Sequence, residues 1–335
     1  MMKSNNKMKA IVATGYGSPE VLKLRQVDKP VPKANEVLVK VLASSATAAD
    51  GMMRTGKPFI ARMFTGLRKP KHPIPGTGFA GIVETTGENV TTFHAGDKVF
   101  GETTLGFGTN AEYIAVPENG VILLLPETLR FTEATTVCDG HLTSVNFLMN
   151  IALVKPGQKV LINGASGSLG SAAVQLAKYY GAEVTGVCSK RNVGLVKSLG
   201  ADFVIDYTKE DFTLKNKQYD IVYDTVGKLS YHKSKKALTK NGQFISPVLK
   251  FSLLLQMLWT SLYGSKKAKF GATGLRSAIE LRQLLTELVE IFKEGKITTI
   301  IDRQFPLEKL EEAHKYIATG HKKGNVVIIH QLESQ

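Results

Sequence analysis

Three glycines carry the clearest chemical signal in the chain: Gly164, Gly167 and Gly170, which follow an apolar run and precede a helix-like segment. Glycine permits a tight turn, and it lets backbone N–H groups and the start of a helix approach a bound anion. Between a strand and a helix, this spacing predicts a binding site for the pyrophosphate of a dinucleotide. The alternative is an ordinary strand-to-helix turn that needs glycine for its geometry. The residues predicted to bind are Gly164, Ser166, Gly167, Ser168, Leu169 and Gly170.

The next apolar run, 184–188, ends in Ser189-Lys190-Arg191, and no acidic residue follows until Asp202. An NAD site usually places an acidic side chain at the end of this second strand, where it accepts hydrogen bonds from the ribose. Two cations and a hydroxyl suit a 2′-phosphate instead, which carries about −1.5 to −2 charges. The sequence therefore predicts NADPH as the cofactor, unless both cations merely face solvent.

These residues need a scaffold, and the second half of the chain alternates between strand-like and helix-like segments. Strands are predicted at 160–163, 184–188, 203–206, 219–224 and 242–246, with helices between the first three. This alternation is typical of a doubly wound parallel sheet. The first 125 or so residues instead contain short β segments punctuated by Gly and Pro, which predicts a small β-barrel or sandwich.

Composition limits the functions that the chain can have. It has 335 residues, 43% of them hydrophobic, and its 43 Lys and Arg exceed its 29 Asp and Glu by 14. Such a chain is globular, with about two domains. The lysines are not interleaved with aromatic residues, so we expect a generic basic surface and no nucleic-acid partner. Two cysteines and no signal-peptide-like start favour a cytoplasmic protein.

The most apolar stretch of the chain is 248–263. It is interrupted by Lys250 and Gln256 and is shorter than the roughly 20 residues of a membrane span, so no integral membrane segment is expected. A buried helix or a protein interface is the favoured interpretation. A lipophilic wall over a substrate pocket and a membrane-surface contact remain alternatives.

Taken in order, these motifs resemble the medium-chain dehydrogenase/reductase superfamily, specifically its zinc-free quinone oxidoreductase branch, which includes zeta-crystallin. The resemblance covers nearly the whole chain and rests on Ala49-Asp50, Pro75-Gly76, Ala95-Gly96-Asp97-Lys98-Val99, Ala111-Glu112-Tyr113, Leu142-Thr143, 164–170, Leu199-Gly200-Ala201-Asp202, Tyr223-Asp224, Val226-Gly227 and Gly324-Asn325-Val326-Val327.

This resemblance implies a fold and extends the predicted cofactor site. It implies an α/β protein with a GroES-like β-barrel catalytic domain, residues 1–125 and 273–335, and a Rossmann domain with a doubly wound parallel sheet, residues 126–272. Tyr207 matches a family position that often borders the 2′-phosphate, although a simple strand-end aromatic is the alternative. Val226 and Asn325 join the cofactor-binding set. The family also implies a homodimer, formed through 248–263 or through an edge strand.

The positions that hold catalytic zinc in other members of the superfamily have no metal ligands in this chain. The corresponding stretches read Ser45-Ala46-Thr47 and Gly76-Thr77-Gly78, and Cys138 alone cannot hold the ion. No metal is therefore predicted, and Cys138 is interpreted as a packing residue.

Without zinc, the resemblance implies hydride transfer to an already electrophilic carbon, in a quinone or an α,β-unsaturated carbonyl, so the expected substrate is a small hydrophobic carbonyl or quinone. Three catalytic candidates follow: Thr47, Asp50 and Thr143. Each has a structural alternative, namely capping of a loop or helix for the two threonines and a tie to the backbone for Asp50. Alternatives for the whole chain are an NADP-dependent alcohol dehydrogenase or aldehyde reductase, and a catalytically weak protein that senses NADPH.

Overall fold

A computed structural model describes residues 6–57, 59, 62–214 and 218–331. The chain divides into two compact units. The first combines the described residues up to Asp139 with Gly274–Val289 and with those from Ile301 onward. The second contains Gly140–Thr273 and Glu290–Ile300.

The second unit contains a six-stranded parallel sheet, which confirms the predicted Rossmann-type architecture. Its strands follow the order β10-β9-β8-β11-β12-β13, in which the first strand of the unit lies at the centre and later strands extend to both sides. The central strands are buried along most of their length, as parallel strands covered on both faces must be. The six strands of the sheet are β8 (Lys159–Asn163), β9 (Glu183–Cys188), β10 (Phe203–Asp206), β11 (Tyr219–Asp224), β12 (Leu238–Ser246) and β13 (Lys267–Phe270).

The first unit is a mainly antiparallel β structure with a seven-stranded sheet and a separate two-stranded pair, β1 and β2. Its long third strand pairs with three neighbours, and the last strand of the chain joins it from the C-terminal end. The strands are β1 (Lys7–Ala13), β2 (Leu22–Asp28), β3 (Glu36–Ala46), β4 (Gly78–Thr86), β5 (Lys98–Glu102), β6 (Tyr113–Pro117), β7 (Val121–Leu124), β14 (Ile301–Pro306) and β15 (Asn325–Ile329).

Helices connect the strands of both units. Two short π-helical segments, 137–141 and 146–152, lie on either side of the fourth helix. The helices are α1 (Ala48–Thr55), α2 (Arg62–Thr65), α3 (Phe131–Thr136), α4 (Leu142–Val145), α5 (Ser168–Tyr179), α6 (Val193–Ser198), α7 (Tyr231–Ser234), α8 (Phe251–Leu262), α9 (Ala278–Lys293) and α10 (Leu310–Ala318).

The apolar stretch 248–263 contains α8, and the interpretation of this stretch as a buried helix is wrong, whereas a protein interface stays a prediction. Only Leu253 and Thr260 of the helix are buried, and most of its large apolar side chains are exposed. Within the part of the chain that the structure describes, no helix is long and apolar enough to cross a membrane.

Candidate functional site

The glycine turn between β8 and α5 is built so that a side chain would not fit at two of its positions. Gly164 has φ +79°, and a Cβ there would lie 2.2 Å from Val226 Cγ2. A Cβ on Gly170 would lie 2.1 Å from the carbonyl oxygen of Gly164. The first glycine is therefore needed for a left-handed turn, and the third lets the helix pack against the turn.

The N-terminus of α5 presents backbone N–H groups of the kind that bind anions in other proteins. Gly167 occupies the capping position with extended backbone angles and has no side chain to satisfy the first amides of the helix. Unsatisfied N–H groups and the positive end of a helix dipole are together the features that favour a bound anion. Asn192 is buried in the connection between β9 and α6. It donates from Nδ2 to Ser166 Oγ at 2.8 Å and so fixes the conformation of the glycine turn.

A buried carboxylate shapes the loop that faces this turn. Asp224 ends β11 and accepts hydrogen bonds from the backbone N–H groups of Gly227 at 3.1 Å and Leu229 at 2.8 Å. It also accepts from Asn163 Nδ2 at 2.8 Å, which ties the ends of β8 and β11 together. Val226, a predicted cofactor residue, is 45% exposed on the loop that Asp224 holds. Asp224 is a residue of the family motif Tyr223-Asp224, and its role in positioning this loop was not predicted from the sequence.

The predicted phosphate-binding residues meet at the carboxyl ends of two adjacent parallel strands. Ser189, Lys190 and Arg191 follow β9, and the latter two are exposed. Tyr207 follows β10, is 59% exposed, and donates its backbone N–H to Cys188 O at 3.1 Å. The structure thus brings all four residues to the carboxyl ends of β9 and β10.

An acidic residue for which the sequence predicted no role, Asp206, lies at the same carboxyl end of β10. Asp206 pairs with Cys188 in the strand register. It accepts hydrogen bonds from Thr208 Oγ1 at 2.8 Å and from the Lys190 backbone, and these bonds together lower its pKa. Asp206 is distant from Lys190 in sequence, so only the register of β9 and β10 reveals the contact. The carboxylate is engaged by these donors and by the charge of Lys209.

In the first unit, Thr47 and Asp50 form a reciprocal cap at the start of α1. The Asp50 N–H donates to Thr47 Oγ1 at 3.0 Å, and the Thr47 N–H donates to Asp50 Oδ2 at 2.8 Å. Thr47 Oγ1 also donates to Asp50 Oδ2 at 2.9 Å. Both side chains are buried, so the cap fixes them rigidly relative to each other.

Asp50 belongs to a group of carboxyl groups whose charges interact. Burial raises the pKa of Asp50 to about 6, against the opposing hydrogen bonds from Thr47. Burial, together with the charges of Asp139 and Asp50, raises the pKa of Glu102 to about 8. A carboxyl group with that pKa holds its proton at neutral pH. Glu102 and Asp139 were not predicted from the sequence, because they lie on elements far apart in the chain, β5 and the π-helical segment 137–141, and only folding of the first unit brings them near Asp50.

The first unit also contains a buried amine near these acids. Burial lowers the pKa of Lys322, and the charges of Asp139 and Asp302 oppose that shift. Its Nζ donates to Gly324 O at 2.7 Å. The amine is thus a hydrogen-bond donor that is fixed beside carboxylates.

The remaining predicted residues fall in different units. Thr143 is half-buried in α4 of the second unit, the unit that also contains the glycine turn. Asn325 is buried at the start of β15 in the first unit.

The stretch that would hold zinc ligands offers no set of donors. A Cβ on Gly78 would lie 2.7 Å from Ser45 Oγ and 3.1 Å from Thr135 O, so the packing favours glycine there. Burial and neighbouring acids raise the pKa of Cys138 well above its ordinary range, which disfavours the thiolate that binds metal. Among the residues that the structure describes, no group of three or more His, Cys, Asp or Glu side chains is arranged to hold a metal ion.

Comparison with known proteins agrees with this geometry. Residues 33–127 match the family described as "Alcohol dehydrogenase GroES-like domain", and residues 199–328 match "Zinc-binding dehydrogenase". A chloroplastic quinone oxidoreductase of Triphysaria versicolor is 35% identical, with 96% of this chain and 98% of the relative aligned. A chloroplastic NADPH-dependent alkenal/one oxidoreductase of Arabidopsis thaliana is 30% identical, with 96% of this chain and 79% of the relative aligned. The solved quinone oxidoreductase of Coxiella burnetii superposes with a TM-score of 0.87 at 31% identity, covering 97% of this chain and 100% of the other.

Proposed function

We propose a specific activity from the premise that this chain belongs to the medium-chain dehydrogenase/reductase superfamily, among quinone oxidoreductase relatives. Membership makes it an oxidoreductase that uses a nicotinamide cofactor. The finer proposal is that it oxidises NADPH and reduces a quinone or an α,β-unsaturated carbonyl without zinc.

The choice of NADPH rests on the basic residues at the carboxyl ends of the parallel strands. Lys190 and Arg191 lie where the second strand ends, and the nearby acid Asp206 already accepts hydrogen bonds from Thr208 and from the Lys190 backbone. An acid engaged in this way is poorly placed to receive ribose hydroxyls, whereas exposed cations suit a phosphate. The name of the alkenal/one oxidoreductase relative includes NADPH dependence, which supports the same choice.

The residues that hold the cofactor have distinct tasks. The N-terminal amides of α5, after Gly167, bind the pyrophosphate, and Lys190, Arg191 and Tyr207 bind the adenosine end. When bound, the nicotinamide supplies a hydride. The glycine turn fits this group, because the positions at which a Cβ would collide are those that the backbone needs for close approach.

The rest of the reaction requires a proton and no metal. Reduction of an enone adds a hydride to its β-carbon and a proton to its α-carbon, and reduction of a quinone adds two protons and two electrons in all. Glu102, whose pKa is raised to about 8, can hold a proton at neutral pH beside Asp50. We assign the proton supply to this pair of carboxyl groups, with Thr47 fixing the orientation of Asp50.

The proposal includes a homodimer and a cytoplasmic location, as the sequence analysis expected. The short edge strand β13 ends the parallel sheet and is the surface that we assign to the second copy. Light scattering on the purified chain tests the dimer, and cell fractionation tests the location.

The activity is tested by NADPH oxidation with metal-depleted protein against a panel of quinones, enones and aldehydes. The proposal expects turnover of quinones or enones that chelators leave unchanged. Turnover confined to aldehydes and restored by Zn²⁺ would identify an alcohol dehydrogenase instead. Background rates across the panel would identify a cofactor sensor.

A further inference from the structure

The helix α8 presents its apolar residues to solvent in a regular stripe. The exposed residues recur with the spacing of one helical face, while the opposite side packs inward through Leu253 and Thr260. Soluble proteins rarely expose a contiguous apolar surface of this kind without a binding role. The stripe, as we call it below, consists of Phe251, Leu254, Leu255, Leu258, Trp259 and Leu262.

The sequence around the stripe contains most of the excess positive charge of the chain. Residues 225–279 contain ten Lys and Arg and no Asp or Glu, so they supply ten of the fourteen net charges. The interpretation of a generic basic surface assumed that the excess positive charge is spread evenly along the chain. It is instead concentrated in residues 225–279. The ten are Lys228, Lys233, Lys235, Lys236, Lys240, Lys250, Lys266, Lys267, Lys269 and Arg276.

Some of these cations share one surface with the stripe. His232 and Lys235 line a groove together with Leu255, Leu258, Trp259 and Leu262. Lys250 is exposed at the start of α8. The surface thus combines an apolar centre with a cationic rim.

We propose that the stripe and its cationic rim dock on an anionic lipid bilayer, with the apolar side chains inserted among the acyl chains. Leucine and aromatic side chains beside lysines are typical of helices that bind at membrane interfaces, and anionic headgroups complement the lysines. A second copy of this chain fits less well, because a two-fold interface brings the same surface of each copy, with its like charges, together.

The length of the helix defines the mode of contact. Its 12 residues span about 18 Å, which is less than the roughly 30 Å hydrocarbon core of a bilayer. The helix therefore lies in the interface and does not cross it. This docking is independent of the proposed reaction, since the test below measures no turnover.

The chain provides its own reporter, because Trp259 is its only tryptophan and lies on the stripe. The full chain is mixed with vesicles of phosphatidylcholine alone or with 30% phosphatidylserine, in about 20 mM salt. With the anionic vesicles, we expect Trp259 emission to move to shorter wavelength and brominated acyl chains to quench it. Absence of both changes would overturn the proposal.

Matched variants identify the surface. Each lysine near an anionic surface strengthens binding roughly fivefold, so Lys235→Ala with Lys250→Ala should weaken vesicle binding about 25-fold. Leu258→Gln with Leu262→Gln should abolish quenching, while the controls Lys296→Ala and Leu275→Gln, at exposed positions outside the stripe, leave it unchanged. Equal effects of test and control variants would overturn the proposal. So would a lipid-independent shift that grows with protein concentration, which would assign the stripe to a second copy.

Discussion

Replacement of the two cations that follow β9 should separate NADPH from NADH. A charge-assisted hydrogen bond to phosphate contributes about 1.5–3 kcal/mol when sheltered. Lys190 and Arg191 are both exposed, so we reduce this to about 1 kcal/mol for each contact. Loss of both contacts in Lys190→Ala with Arg191→Ala then amounts to about 2 kcal/mol, or about a 30-fold higher Kd for NADPH. NADH has no 2′-phosphate, so its Kd should stay within about twofold.

The assay is calorimetric titration of both cofactors at low and high salt, with Lys197→Ala as the control. Lys197 is an exposed cation on α6 and is not at the strand ends. Salt should weaken the binding of NADPH to the unmodified chain more than that of NADH, and the double variant should lose this difference. An equal loss of affinity for both cofactors, or an unchanged Kd for NADPH, would refute the assignment of the phosphate site.

Three further changes test the scaffold and the acids. Gly170→Ala places a Cβ 2.1 Å from Gly164 O, so we expect denaturant titration to show about 1–3 kcal/mol less stability, together with weaker NADPH binding; unaltered values would contradict the close packing. The pKa of Glu102 is raised to about 8, so its contribution to stability is present below about pH 4.5 and is lost as pH rises to about 8. In thermal scans, Glu102→Gln should therefore flatten the fall in Tm between pH 5 and 8, unlike the exposed control Glu127→Gln; parallel profiles would rule out the raised pKa. Thr47→Ala removes one half of the α1 cap and should lower the free energy of unfolding by about 1 kcal/mol in urea titrations. An unchanged free energy of unfolding would show that the cap does not stabilise the fold.

The parallel sheet was accessible from sequence because its signals are local. The strands at 203–206 and 219–224 form with the predicted bounds, and the glycine spacing placed the turn between β8 and α5. These features follow from short apolar runs and from the conformational freedom of glycine, both of which are visible in a few consecutive residues.

Features that depend on distant contacts were not accessible. Asp206 reaches Lys190 only through the register of two strands, and Glu102 interacts with Asp139 only through folding of the first unit. The exposed face of α8 was missed for another reason. An apolar helix has the same local sequence whether its partner is the core of its own chain or an external surface.

Isotopic labelling of the transferred hydride tests whether this chain reduces an enone with NADPH and without zinc. Metal-depleted protein is supplied with NADPH deuterated at the transferring position of its nicotinamide and with an enone substrate, and the product is examined by mass spectrometry and NMR. Hydride transfer without zinc predicts one deuterium at the former β-carbon of the product, with NADPH preferred over NADH. A product without the label, or labelled product that appears only after Zn²⁺ is added, would contradict it.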